Sequence, residues 1–182
     1  MNVRVAVVAD ASRLVGLIRS AYRGEASREG WTSEADLVAG DRIDEPGVLA
    51  LITAPGSVML VLDDAVGLVA CCQLEDRNDG VTYFGTFAVD PGAQGGGLGR
   101  RMMDEAEQWA RNGFDAHTLE MTVLAQQEAL IAYYERRGFV RTGEIRPFPS
   151  DPVFARPLRD DLTFVVLRKD LGSAAMHQVT DC

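Results

Sequence analysis

The stretch Asp90-Pro91-Gly92-Ala93-Gln94-Gly95-Gly96-Gly97-Leu98-Gly99 constrains this chain more than any other. Half of its residues are glycine, so neither a strand nor a helix can run through it. Before it, Val81 to Val89 is β-rich and stops at Asp90-Pro91-Gly92, a strong turn signal. After it, Leu98, Met102, Ala106, Trp109 and Ala110 fall on one helical face. The order is therefore strand, glycine loop, helix.

That order suits an anion. A helix start carries free N–H groups and the positive end of the helix dipole. Glycines let a ligand approach the backbone closely. Together they form a phosphate site, although a plain β-turn-α connection would use the same residues. A Walker loop is excluded, because no Lys-Ser or Lys-Thr follows the glycines. The dinucleotide fingerprint Gly-x-Gly-x-x-Gly also fails: Arg100 stands where its third glycine belongs, and no βαβ repeat follows.

The 182 residues suffice for one domain with a sizeable core. We expect a single domain over 1–171 and a flexible tail over 172–182. No apolar run approaches a membrane span, and Met1-Asn2-Val3-Arg4-Val5 lacks a signal-peptide layout. Cys71 and Cys72 are adjacent, so in a strand they face opposite ways. With Cys182 the count is odd and no metal spacing appears, which points to a reduced, cytoplasmic protein without a metal. The net charge of −9 disfavours nucleic acid as a partner. It mildly favours a cationic acceptor, but acidity for solubility explains it at least as well.

Along the chain, Val3–Val8 reads as a strand, Asp10 as an N-cap and Asp10–Tyr22 as a helix. Thr32 or Ser33 would cap a short helix running to about Ala39, with Trp31 and Glu34 lining a pocket or merely packing. Gly47–Ala54 is a further helix, with Pro46 in its first turn. Val58–Leu62, Val66–Leu74 and Val81–Val89 form a meander of three strands. The long helix after the glycine loop should stop at Gly113. Then come a strand Leu119–Val123, a helix Gln127–Arg137 ended by Gly138, a strand Phe139–Thr142 and a last strand Leu162–Leu167. Residues 144–161 hold four of the seven prolines and read as a long loop, either a lid or a subunit contact.

Gln94-Gly95-Gly96-Gly97-Leu98-Gly99 fits Gln/Arg-x-x-Gly-x-Gly/Ala and resembles the coenzyme A pyrophosphate loop of the GNAT N-acetyltransferase superfamily. Tyr134-Glu135-Arg136-Arg137-Gly138-Phe139 is similar to that family's Tyr-Glu-Lys-x-Gly-Phe signature, in the expected order after the loop. The resemblance covers roughly Val58 to Phe139. It implies an α+β, three-layer fold. The sheet would be mixed, mostly antiparallel and six- or seven-stranded, with helices on both faces and its fourth and fifth strands splayed. It implies acetyl-CoA as co-substrate and a small-molecule or peptide amine as acceptor, with no membrane partner and with homodimers among the assemblies left open.

Carried over by position, Phe87, Ala88 and Val89 would meet the pantetheine arm. Gln94, Gly95, Gly96, Gly97, Leu98, Gly99 and Arg100 would wrap the pyrophosphate. Tyr134 would protonate the departing thiolate, while Tyr133 would pack. Gln127 stands near a position where the family often has asparagine, and its cofactor contact is inferred from that alone. Trp31, Glu34 and Tyr83 are the acceptor-side candidates. The strand Val81–Val89 holds no carboxylate, so amine deprotonation would fall to water, Glu75, Glu120, Glu34 or Tyr83. That missing base leaves room for a non-catalytic acyl-CoA sensor, and the loop would also accept a bulkier acyl-CoA.

Overall fold

The computed structural model describes residues 1–23, 27–28, 33–65, 67–149 and 151–172. The strands are β1 (Asn2–Val5), β2 (Val38–Ala39), β3 (Ser57–Asp63), β4 (Leu68–Asp76), β5 (Val81–Val89), β6 (Thr118–Leu124), β7 (Val140–Pro147), β8 (Arg156–Pro157) and β9 (Thr163–Asp170). The helices are α1 (Ala11–Tyr22), α2 (Glu45–Thr53), α3 (Leu98–Phe114) and α4 (Glu128–Glu135). One seven-stranded sheet runs in the order β1-β3-β4-β5-β6-β9-β7, and β2 pairs with β8 in a separate ribbon. Every neighbouring pair in the large sheet is antiparallel except β5 and β6.

Side-chain alternation along β3 and β4 builds a core on each face of the sheet. Leu60, Leu62, Cys72 and Leu74 point to the face covered by α3 and α4, where Met102, Ala106 and Ile131 bury. Met59, Val61 and Cys71 point to the other face, against Leu14, Ile18 and Val48 of α1 and α2. Cys71 and Cys72 are both fully buried and free. Burial pushes the Cys71 thiol up to about 12 and Cys72 well above its ordinary value.

The parallel pair opens quickly. β5 and β6 are in register only at Val81–Tyr83 against Thr118–Glu120. Beyond Tyr83 they diverge, and β5 also bulges: Cys71 faces Ala88 while Gln73 faces Gly85, leaving an extra residue on β5. Thr86 lies in that bulge with φ 44, a left-handed conformation that a β-branched residue rarely adopts.

Several local expectations change. The first strand ends at Val5, because Asp10 gathers the following residues into a tight turn. Asp10 does not cap α1 through its side chain. Its carboxylate accepts the Val7 N–H at 2.9 Å and pairs with Arg4 at 2.6 Å and Arg13 at 2.5 Å. No helix reaches Ala39: Ser33 Oγ accepts the Ala35 N–H at 3.2 Å, one turn follows, and Val38–Ala39 then pairs with β8. Thr32 lies outside the described residues. α3 runs through Gly113 to Phe114, and the left-handed residue that ends it is Asp115. The region 144–161 is not one loop, since 144–147 extend β7 and Arg156–Pro157 form β8. Among the described residues no helix is long and apolar enough to cross a membrane.

Candidate active site

The divergence of β5 from β6 opens the middle of the sheet, and a cleft enters the gap from each side. The first, of about 250 Å3, is walled by the glycine loop, the start of α3 and the α4 residues Leu130, Tyr133 and Tyr134. The second, about 460 Å3, lies between β5, β6 and the segments around Arg42 and Phe148. Tyr22, Phe87, Leu130 and Tyr134 belong to both walls, so they form the neck between the clefts.

The glycine loop presents donors. Asp90 accepts the Gly92 N–H at 2.8 Å and sets a turn over Pro91–Ala93. Gly97 is the residue before α3 and has φ 80, a conformation that glycine adopts without strain. The first backbone bond back to the loop runs from Arg101 N–H to the Gly97 carbonyl at 3.0 Å. Among the described residues, the N–H groups from Gly95 to Arg100 have no intramolecular acceptor. They sit at the positive end of a 17-residue helix. A Cβ on Gly99 would lie 3.1 Å from the Tyr133 hydroxyl, a tight contact that a small shift of the Tyr133 side chain would relieve.

Tyr134 is 6% exposed and carried on α4, which is fixed by Ile131 and by the ring of Phe139 at 5.9 Å. Among the described residues its hydroxyl has no hydrogen-bond partner. Burial raises it well above the ordinary phenol value, so it is neutral across the physiological range. Tyr133 does more than pack. It lines the first cleft, with the Arg137 guanidinium 3.5 Å from its ring centroid.

The sequence candidates divide between the clefts. Phe87, Val89, Gln94, Gly95, Gly97, Leu98, Gly99 and Arg100 line the first. Ala88 is buried and faces the α1 side of the sheet, and Gly96 is an exposed loop residue outside the lining. Gln127 lines the second cleft and donates to the Ser33 carbonyl at 3.2 Å. Glu34 and Tyr83 also line the second. The Glu34 carboxylate is paired with Arg23 at 2.5 Å, and the Tyr83 hydroxyl is 3.0 Å from Thr122 Oγ1. Trp31 lies outside the described residues. Glu75 and Glu120 are not in the cleft wall, and Glu120 is held by Arg146 and Arg168.

Tyr22 is the neck residue that sequence reading missed. Its hydroxyl donates to the Phe87 carbonyl at 2.7 Å, pinning the bulged strand. Its only sequence signal was an aromatic at the end of an amphipathic helix, which packing alone would explain. Arg23, Arg42, Arg77 and Arg146 were also missed as wall residues of the second cleft. They come from four separate segments that share no spacing.

The model of the acetyltransferase (GNAT) family matches residues 16–139. An IAA acetyltransferase of Azospirillum brasilense is 32% identical over 107 residues, covering 58% of this chain and 69% of that protein. Among solved structures, the ribosomal-protein-S18-alanine N-acetyltransferase from Escherichia coli has a TM-score of 0.70 at 16% identity, over 97% of each chain. The yncA protein of Salmonella typhimurium, solved with its cofactor acetyl-CoA, has a TM-score of 0.68 at 21% identity, over 96% of each chain. At these identities the structural likenesses speak for the fold. The family match takes in both the glycine loop and the helix that carries Tyr134, and the chain is an acetyltransferase of the GNAT family.

Proposed function

We propose that this enzyme moves an acetyl group from acetyl-CoA to a primary amine by direct attack, with Tyr134 protonating the leaving thiolate. The observation that carries this reading is the neck. Tyr134 is the one tyrosine of α4 that reaches both clefts, and its neutral hydroxyl has no other partner among the described residues. The first cleft fits the co-substrate. Its unpaired N–H groups from Gly95 to Arg100 match a pyrophosphate. Acetyl-CoA, when bound, supplies the activated acetyl thioester.

The residues then divide the work. The loop amides hold the phosphates, and Arg100, 75% exposed, adds a screened charge at the rim. The unpaired edge of β5 beyond Tyr83 offers backbone groups to the pantetheine arm and to a carbonyl oxygen gaining charge. Tyr22 keeps that edge in place through Phe87. Tyr134 holds a proton at its hydroxyl oxygen until the sulfur leaves. The acceptor enters from the second cleft. There the only carboxylate among the described residues of the wall, Glu34, is neutralised by Arg23, so the amine is best delivered with its proton already lost to water.

Thiol release from acetyl-CoA over a panel of amines tests the reading, with propionyl-CoA and longer acyl-CoAs run alongside. Tyr134→Phe should lower kcat about 100-fold or more while acetyl-CoA binding, measured by calorimetry, stays within about threefold. Full turnover in that variant with an unchanged pH profile would remove Tyr134 from the chemistry.

A further inference from the structure

We infer that the acceptor cleft selects an amine that carries its own anion, a carboxylate or phosphonate, and that Arg42 receives that anion while the amine reaches the neck. This rests on the acetyl-transfer reading above.

The chain is acidic, at −9, yet the wall of the second cleft is the reverse. Among the described residues it contains four arginines (Arg23, Arg42, Arg77 and Arg146) and one carboxylate, Glu34. Three of the arginines are matched: Arg23 with Glu34 at 2.5 Å, Arg77 with Glu75 at 3.2 Å, and Arg146 with Glu144 at 2.7 Å and Glu120 at 3.1 Å. Arg42 is in no ion pair among the described residues. Its guanidinium lies 4.9 Å from the centroid of the Tyr22 ring. Tyr22 is a neck residue, so this cation stands one aromatic ring away from the reacting centre. In the same wall, the Arg23 Nε–H is buried with no acceptor. An unmatched buried donor is uncommon in folded proteins and suits an incoming anion.

Arg42 is also held there at a conformational cost. Its φ is 69, the left-handed region that arginine seldom occupies. Backbone bonds enforce it: the Arg42 N–H donates to the Phe154 carbonyl and the Asp41 N–H to the Val153 carbonyl, both at 3.2 Å. Gly40 packs directly on Val153, where any Cβ would collide with its carbonyl oxygen. Strain that the surroundings enforce is found where a side chain must be aimed. Here it aims the unpaired guanidinium over Tyr22. An arginine so placed favours a planar or tetrahedral oxyanion, whereas a diamine would bring a second cation against it.

The test uses the full chain saturated with coenzyme A. Calorimetry would follow the α-amino acids and aminomethylphosphonate, which separate carboxylate from phosphonate, with the α-amino amides and 1,4-diaminobutane as controls lacking the anion. Thiol release from acetyl-CoA would then be measured with the same compounds. At least one anionic amine is expected to bind and react about 10- to 100-fold better than its amide. Arg42→Gln should shrink that ratio toward one, and Arg42→Lys should restore part of it. Unchanged coenzyme A affinity in both variants shows that the fold is intact. Amides or the diamine preferred by the wild type, or an Arg42→Gln effect equal for all acceptors, would overturn the inference. Anion binding that depends on Arg42 but brings no thiol release would sink the acetyl-transfer reading and leave the anion site standing.

Discussion

Gly97 and Gly99 are two residues apart and differently constrained. Gly97 sits at φ 80, and a Cβ added there would meet nothing within 4 Å, so its constraint is conformational. Gly99 has an ordinary helical place, and the tightest contact of a Cβ there would be the Tyr133 hydroxyl. Gly97→Ala should therefore lower stability by about 1 kcal/mol, visible in thermal melts without ligand. Gly99→Ala, which the Gly/Ala position of the motif admits, should leave the melt nearly unchanged and shift KM for acetyl-CoA by no more than about threefold, because the Tyr133 side chain can give way to a methyl group. Both glycines were legible as parts of one motif. Which of them is held by its conformation and which only meets a side chain was not, since that depends on where Tyr133 lands.

At the scale of elements, Asp10 joins three of them. It is 1% exposed, and it binds Arg4 of β1, which also reaches Asp63 of β3 at 2.8 Å, and Arg13 of α1. The Arg4 hydrogen bonds, more than any other influence, hold its carboxyl well below the usual range. A depressed folded value stabilises the fold above the unfolded value near ~3.9 and is lost as pH falls through the folded one. Asp10→Asn should thus cost about 2–3 kcal/mol at neutral pH. In chemical denaturation the gap to wild type should be flat above about pH 5 and narrow below it. A gap independent of pH would mean that the carboxylate charge is not what matters. The helix and strand assignments mostly followed apolar periodicity. They failed where one side chain captured the backbone, as Asp10 and Ser33 do, or where pairing was long-range, as between β2 and β8.

For the whole molecule, the decisive fact is that β5 and β6 part after three paired positions and leave a gap through the sheet. A ligand that spans the gap would tie the two halves together. Acetyl-CoA at about 100 times its Kd should then add about 2.7 kcal/mol, a rise in Tm of roughly 5–10 °C for a chain of this size. A melt unmoved by acetyl-CoA would argue against the first cleft as its site.

The sequence by itself determined an anion-ready loop. A turn, five glycines and a helix start are contiguous, and their chemistry follows from local backbone geometry. It also determined the order of the long helices and strands, because periodicity is a local property, but not the short pair β2 and β8. Only the tertiary structure assembled the second cleft. Arg23, Arg42, Arg77 and Arg146 come from four segments, and ion pairs neutralise three of them. The cation left over depends on which carboxylates the fold brings within reach of which guanidinium, a sum over distant contacts that no single stretch of sequence contains.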